Sequence, residues 1–253
     1  MALDRSRRLI GAAVYRPALV QEPRVVFGAP PLRCASLLKP LLFWAAGQHE
    51  PFRRDPSAWA RLAESAVVLS ANQPTTDLWD DVGEGPLLAT LHQLTGVEWT
   101  VEPGGVRSFG RVLVRAEEVT IAYATMAGAA VTDPAAAQVF RWMEAVPARQ
   151  TFGVRACAAA AQAEPESAVG IKCGWFCDTD EDHIRTHAVT ISGRPEHCTV
   201  TCVLTALPIP AAERKLYAEA DARGEEIAIH ERHAGALLRE TTLSLLTGGT
   251  GPG

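Results

Sequence analysis

Residues 36–47 read SLLKPLLFWAAG, an apolar run that also carries a serine and a lysine. The run has helical length and ends at Gly47, a common helix stop. Pro40 fits such a helix only in the first turn, where its missing N–H costs little. We therefore expect the helix to begin near Ser36, which places Ser36 and Lys39 three residues apart on one helical face.

A serine and a lysine at this spacing can act as a nucleophile and its base. A lysine that is kept neutral by burial and by neighbouring cations can take the proton of the serine hydroxyl. The free N–H groups at a helix start also favour the negative charge that develops on the serine. Because S-x-x-K is common by chance, its meaning depends on the rest of the chain.

Strand patterns lie towards both ends of the chain, and helical patterns fill the region between them. Strands are predicted at 9–15, 24–27, 167–177, 187–192 and 198–206. Helices are predicted at 56–69, 85–94, 116–126, 133–143, 211–223 and 225–246. This order predicts one α/β (α+β) domain over 1–253, with an α/β lobe at 1–35 and 151–253 and a helical lobe at 36–150.

Two more short motifs accompany Ser36 and Lys39. Ser70-Ala71-Asn72 follows the second predicted helix, and Lys172-Cys173-Gly174 lies on a predicted strand. With these motifs the chain resembles the serine β-lactamase and penicillin-binding-protein superfamily, class A above all, whose motifs are S-x-x-K, S-D-N and K-T-G. The resemblance covers roughly residues 8–246, including TTDLWDDVG after the second motif and VPARQTFGV at 146–154.

The resemblance implies an antiparallel sheet of about five strands flanked by helices, with the site between this sheet and an all-helical lobe. Ser36 would be the acylated nucleophile and Lys39 its general base. Ser70 would relay a proton between the base and the leaving group. Asn72 would hydrogen-bond to Lys39 and to the substrate amide, and Lys172 would supply positive potential from the opposite strand.

The K-x-G strand would complete the site, with one departure from the family pattern. The backbone N–H groups of Ser36 and Trp175 would form the oxyanion hole. Cys173 and Gly174 would line the substrate site. Cys173 stands where the family has a threonine or serine hydroxyl that binds a substrate carboxylate, and a thiol is a weak donor. Recognition of a penicillin carboxylate is therefore not expected.

Glu102 is the candidate for a second base, the one that activates water. Class A enzymes use a glutamate in an E-x-x-x-N element, and this sequence contains no clear copy of it. Glu102 lies at nearly the right distance after Ser70, but Pro-Gly-Gly-Val follows it. Without such a base, an acyl-enzyme would hydrolyse slowly or pass its acyl group to another nucleophile.

Cysteines and histidines crowd into a short part of the chain and raise the question of a metal site. They are Cys173, Cys177, His183, His187, His197, Cys198 and Cys202. Structural zinc usually takes tighter cysteine pairs on turns than the C-x3-C spacing found here. Small buried thiols are the alternative, so we expect neither metal nor cofactor.

The composition is that of an ordinary globular protein. The chain has 253 residues and a formal net charge of -5. Because it has no basic block, we expect no binding to nucleic acid or anionic membranes. No apolar run reaches the roughly 18 residues that span a bilayer. The basic N-terminus lacks the uninterrupted apolar stretch of a signal peptide, so we expect a cytoplasmic location.

The expected function is hydrolysis or transfer of an acyl group through an ester of Ser36. The substrate would be a small-molecule amide, ester or lactam in cytoplasmic secondary metabolism, such as antibiotic biosynthesis, with an acyl acceptor as second partner if the group is transferred. The alternative is a binding protein on the same fold that has lost turnover, since Cys173 and the uncertain second base both depart from the family pattern.

Overall fold

The computed structural model describes residues 7–104, 108–162, 168–178 and 183–248. Its main sheet has the strand order β2-β1-β8-β7-β6 with antiparallel neighbours. The strands are β1 (Leu9–Tyr15), β2 (Arg24–Phe27), β6 (Val169–Asp178), β7 (His183–Ser192) and β8 (Thr199–Pro208). The chain ends meet in this sheet because β1 pairs with β8 along its full length. The predicted five-stranded antiparallel sheet is confirmed.

Both faces of the main sheet are covered by helices. Consecutive strand residues point to opposite faces, and accordingly Ala12 and Ala13, like Ala188 and Val189, fall into different apolar clusters. On one face, α6 (Ala116–Ala129) and α7 (Pro134–Glu144) contact the sheet, and on the other α8 (Val154–Ala160) and α11 (Ala236–Thr247) do. This cover explains why β7 is buried along its whole length.

A group of helices packs around α1 beside the sheet. The helices that contact α1 (Lys39–Ala46) are α3 (Pro56–Val68), α4 (Gln73–Val82) and α5 (Glu84–Thr95) together with α6 and α7, and α2 (Glu50–Arg54) contacts α3. Every residue of α1 is buried. Buried indole N–H groups need acceptors: Trp44 Nε1 donates to Asp133 Oδ2 at 2.7 Å, and Trp59 Nε1 donates to Phe43 O at 3.0 Å.

Helix α1 begins three residues later than predicted. Pro40 lies in its first turn, as expected, but Ser36 lies in the turn that precedes the helix. Ala35 has a φ of 51°, a left-handed conformation that a helix does not continue through. Helices α2, α4 and α8 were not predicted. In α4 only Thr75, Leu78 and Trp79 are buried, too few for a clear helical pattern.

A second, smaller sheet was not predicted, and two of its three strands lie inside the region that was predicted to be helical. It has the strand order β3-β5-β4, with β3 (Leu32–Arg33), β4 (Thr100–Val101) and β5 (Val112–Val114). Strands of two or three residues are too short for an alternating pattern to reveal them. This sheet matters for the site because β3 leads directly into the Ser36 turn.

The segment after β8 folds into short helices before α11. These are α9 (Arg214–Arg223) and α10 (Glu226–His230), followed by a π-helical turn at Glu231–Gly235. The helix predicted at 225–246 is therefore interrupted. Residue 167 and the ends of the predicted domain, 1–6 and 249–253, lie outside the described residues. Within the described chain, no helix combines the length and apolarity needed to cross a bilayer.

Candidate active site

Ser36 lies in a tight turn between β3 and α1. The turn is tied to β5 and its preceding residues, since Cys34 N donates to Val112 O at 2.9 Å and Ala35 N donates to Gly110 O at 3.2 Å. The left-handed Ala35 immediately precedes the half-buried serine. Such backbone strain in a non-glycine residue costs about 1–3 kcal/mol and clusters at functional sites. The turn is thus held in an unfavourable conformation that presents Ser36.

Gly174 allows β6 to approach this turn closely. A Cβ atom at position 174 would lie 2.7 Å from Leu37 N, 2.9 Å from Cys34 O and 3.0 Å from Ser36 N. These atoms all belong to the backbone, which cannot rotate away as a side chain could. The K-x-G glycine is therefore required by the contact between the strand and the nucleophile turn.

His187 fastens the small sheet to the large one. Its Nδ1 accepts a hydrogen bond from Thr205 N at 3.1 Å, so the neutral ring carries its proton on Nε2. Nε2 then donates to Arg33 O at 2.9 Å, three residues before Ser36. Burial lowers the pKa of His187 to about 4, which keeps the ring neutral. This side chain positions the nucleophile turn.

Lys39 is completely buried among three acceptors. Its Nζ donates to Ser70 O at 2.6 Å, Ala71 O at 2.9 Å and Asn72 Oδ1 at 2.8 Å. Burial, and secondly the charge of Lys172, lower the pKa of Lys39 to about 6. The amine can therefore lose its proton near neutral pH, although the three acceptors favour the charged form.

The side chain of Lys172, on β6, also contacts Ser70. Its Nζ donates to Ser70 Oγ at 2.8 Å and to Cys173 O at 2.8 Å. Burial lowers its pKa to about 8, so the side chain is mostly charged at neutral pH. Ser70 thus contacts both lysines, Lys39 through its carbonyl and Lys172 through its hydroxyl. Its φ of 59° is the second left-handed conformation in the site.

Ser36 opens onto two adjoining cavities of about 320 and 170 Å³. Asn72 and Trp175 line both, and Ser70 lines the smaller one. The predicted nucleophile, the S-x-N pair and the K-x-G strand are therefore brought to one place. In this arrangement Lys39 points to the S-x-N loop rather than to Ser36.

Comparison with known proteins supports the same picture at the level of the fold. No protein-family model and no curated protein matches the chain. The TLA-3 extended-spectrum β-lactamase is 11% identical at a TM-score of 0.60, covering 95% of this chain and 94% of its own. A β-lactamase from Burkholderia ambifaria is 14% identical at a TM-score of 0.57, covering 87% and 94%.

A class A β-lactamase from Bacteroides cellulosilyticus DSM 14838 is 13% identical at a TM-score of 0.57 and covers 94% of this chain and 93% of that one. The protein has the class A β-lactamase fold. The predicted resemblance is confirmed at that level, and identities this low leave the activity to be argued from the site.

On the class A β-lactamase fold, Cys173 was expected to line the substrate site, and the structure corrects this. Its side chain is 1% exposed and lies in the apolar cluster with Phe152, Val154 and Leu238. It lines neither cavity at Ser36, because alternate strand residues point to opposite faces of the sheet. Cys173 contributes its carbonyl to Lys172 and packs the core with its thiol.

The Glu102 carboxylate is hydrogen-bonded to two arginines. Its Oε2 accepts from Arg33 Nε at 2.5 Å and from Arg111 Nη2 at 2.7 Å. Both arginines line the larger cavity, whereas Glu102 lines neither cavity at Ser36. Because Glu102 lines neither cavity, it is not placed to activate a water molecule at Ser36.

The cysteines and histidines do not gather around a common point. Within the described residues, no group of three His, Cys, Asp or Glu side chains is placed to hold a metal ion. All six cysteines are free thiols, and Cys173, Cys198 and Cys202 are buried. His187 uses both ring nitrogens in hydrogen bonds to the backbone.

The C-terminal helices supply site residues that the sequence did not reveal. Tyr217 of α9 and Glu226 and His230 of α10 line the smaller cavity beside Ser36 and Ser70. They lie roughly 190 residues after Ser36 in segments that match no motif. The contact of α10 with β6 brings Glu226 and His230 to the site, and α9, which carries Tyr217, packs against α10.

Proposed function

We propose that this protein is a serine hydrolase that forms an acyl ester on Ser36. The observation that carries the proposal is the meeting of two buried lysines, Lys39 and Lys172, at Ser70 beside a serine that opens onto a cavity. Buried cations with lowered pKa values are expensive to maintain and cluster at catalytic sites.

In the proposed acylation, Ser36 Oγ attacks the carbonyl carbon of an amide, ester or lactam. Neutral Lys39 takes the serine proton. A neutral amine has two N–H groups and a lone pair, so it releases one of its three acceptors and can turn the lone pair to Ser36. Lys39 then passes this proton through the Ser70 hydroxyl to the leaving group, so that Lys39 and Ser70 both regain their starting protonation, and charged Lys172 orients the Ser70 hydroxyl.

The oxyanion would be stabilised by the backbone N–H groups of Ser36 and Trp175. Removing one such donor typically costs about 3 kcal/mol of transition-state stabilisation. The close contact of Gly174 with the Ser36 turn supports this assignment, since it brings the edge strand β6 beside the serine.

The proposed substrate is a small molecule of cytoplasmic metabolism. Cavities of about 320 and 170 Å³ suit a small acyl donor. The acyl group would pass to water or to a second small molecule. A binding protein without turnover is distinguished by the test that follows, since it would not become acylated.

Replacement of the nucleophile tests the proposal. We expect Ser36→Ala to abolish turnover and labelling by a fluorophosphonate probe while the protein stays folded, because one hydroxyl contributes covalent chemistry but little packing. Intact-mass spectrometry would show the adduct on the wild type alone. Ser57→Ala, on the exposed start of α3, is the matched control and should label normally. A Ser36→Ala variant with half of wild-type activity would contradict the proposal.

A further inference from the structure

The acyl-enzyme must be released, and this step needs a base close to the ester. A water molecule attacks an ester slowly unless a positioned side chain takes its proton, an effect of about 10²–10⁴ in rate. Glu102 is engaged by Arg33 and Arg111 and lines neither cavity at Ser36. Lys39 is held on the S-x-N loop and lines neither cavity at Ser36.

Glu226 brings a carboxylate to the smaller cavity beside the nucleophile. It is the first residue of α10, and its side chain lines the smaller cavity together with Ser36 and Ser70. Among the described residues that line the two cavities at Ser36, it carries the one carboxylate.

The two carboxylate oxygens of Glu226 have different surroundings. Oε1 accepts from Trp175 Nε1 at 3.4 Å, a contact that fixes the side chain beside the K-x-G strand. Oε2 is buried and has no hydrogen-bond partner in the protein. Buried carboxylate oxygens are normally hydrogen-bonded, so Oε2 is an acceptor that lacks its donor.

The smaller cavity can supply that donor. Its volume is about 170 Å³, and one water molecule occupies about 30 Å³ of liquid. Its lining includes the polar side chains of Ser70, Asn72 and His230. A water molecule held there would have several polar partners and would lie between Glu226 and the ester on Ser36.

We propose that Glu226 is the general base that activates the hydrolytic water, an inference that rests on the proposed Ser36 acyl-enzyme. The water oxygen bonds to the ester carbonyl carbon while its proton passes to the Glu226 carboxylate. The bond between that carbon and Ser36 Oγ then breaks, and the Glu226 carboxyl gives its proton to Ser36 Oγ. The carboxylic acid product leaves, and Glu226 is again a carboxylate.

The neighbouring polar side chains are less suited to this task. His230 Nδ1 is hydrogen-bonded to Thr186 Oγ1 at 2.7 Å, and burial lowers the pKa of the ring to about 3. An imidazole with so low a pKa is a weak base. Burial, and secondly Glu213, raise the pKa of Tyr217, so its hydroxyl stays protonated.

The inference is tested with 4-nitrophenyl acetate, which acylates serine and releases a coloured product. In the wild type we expect a burst of nitrophenolate followed by steady turnover. Glu226→Gln should keep the burst, lower the steady rate at least a hundredfold, and accumulate an acetyl group on Ser36 in intact-mass spectra. Hydroxylamine, which needs less help from a base, should discharge this adduct. Glu240→Gln, exposed on α11, is the matched control and should behave as wild type.

Each other outcome points to a different failure. Turnover of Glu226→Gln at the wild-type rate would overturn the role of Glu226 and leave the Ser36 ester standing. Loss of both burst and fluorophosphonate labelling in a variant with a wild-type circular dichroism spectrum would show that Glu226 positions the site rather than activating water. Absence of acylation in the wild type with both reagents would overturn the proposed function itself.

Discussion

Burial gives Lys39 and Lys172 the lowered pKa values on which the proposed chemistry depends. Each lysine is almost completely buried, and each has a lowered pKa whose largest cause is desolvation. The pKa of Lys39 is lowered further by the charge of Lys172, whereas Cys173 raises that of Lys172. The pKa values of the two lysines therefore differ, at about 6 for Lys39 and about 8 for Lys172, so that a neutral base and a cation coexist near pH 7.

This separation predicts a bell-shaped dependence of kcat/KM on pH. Lys39 must be neutral to accept the serine proton, so activity should fall as the pH drops below about 6. Lys172 must be charged, so activity should fall again as the pH rises above about 8. A pH–rate profile from 5 to 10 with a substrate of constant charge checks both limbs. A flat profile across this range would contradict the assigned roles.

Gly174→Ala should damage the site although it removes no polar side chain. The new Cβ would lie 2.7 Å from Leu37 N, so the Ser36 turn or β6 must move. A displacement of about 1 Å can lower a rate about 10²-fold, and overpacking costs about 1–3 kcal/mol of stability. Acylation kinetics and thermal melts measure the two effects. Gly128→Ala, where a Cβ meets no atom within 4 Å, should leave acylation unchanged.

The short strand β3 contributes to function more than its length suggests. It spans two residues, and it is followed by the turn that bears Ser36. Its place is determined by pairing with β5 and by the hydrogen bond from His187 of β7 to Arg33 O. The histidine also accepts from Thr205 N of β8. One side chain thus connects both sheets at the base of the nucleophile turn.

The lowered pKa of buried His187 predicts that the folded protein loses stability in mild acid. This pKa is about 4 in the folded protein, against about 6.5 for an unperturbed histidine, so the unfolded chain binds more protons between these values. The free energy of unfolding should therefore fall as the pH drops from 6.5 towards 4, by up to about 1.4 kcal/mol per pH unit for this group. His230 acts with the same sign.

Urea unfolding of the wild type and His187→Gln from pH 7 to pH 4.5 measures this contribution. The variant should be less stable at pH 7, because its hydrogen bonds to Arg33 and Thr205 are altered, and should lose less stability on acidification. His197→Gln, exposed in the turn before β8, should keep the wild-type pH dependence. Equal slopes for the wild type and His187→Gln would show that the ring is already protonated in the folded state.

The folded chain brings together a site whose residues are far apart in the sequence. The nucleophile turn follows β3, the S-x-N pair lies between α3 and α4, and the K-x-G motif lies on β6. Helices α9 and α10 close the smaller cavity from the C-terminal side. The resulting cavity has a carboxylate, Glu226, near the K-x-G strand, where Cys173 offers no hydroxyl.

This arrangement predicts poor hydrolysis of penicillins. An anionic lactam would meet the Glu226 carboxylate in the cavity beside Ser36, and position 173 offers it no hydrogen bond because the Cys173 side chain lies in the core. A missing hydrogen bond costs about 1–3 kcal/mol. Steady-state assays with benzylpenicillin and a chromogenic cephalosporin should show weak turnover at most. Efficient hydrolysis, with kcat/KM near 10⁶ M⁻¹s⁻¹ or above on the scale of roughly 10⁴–10⁸ M⁻¹s⁻¹ typical of enzymes, would contradict this prediction.

Much of the fold could be predicted from the sequence because its signals are local. Strands β1 and β2 begin and end as predicted, since apolar runs between turn residues define them. Pro40 correctly indicated the first turn of α1. Ser36, Lys39 and the other two motifs were named in advance because they and the elements around them resemble the superfamily pattern.

Tertiary structure alone decided the rest, because it depends on contacts between residues far apart in the chain. The left-handed Ala35 displaced the start of α1 from Ser36 to Lys39. Because successive side chains of β6 point to opposite faces of the sheet, the Cys173 thiol lies in the core whereas Lys172 contacts Ser70. Glu226 matches no motif, and it enters the site only because α10 packs against β6. Sequence determined which groups the chain offers; long-range packing determined which of them face Ser36.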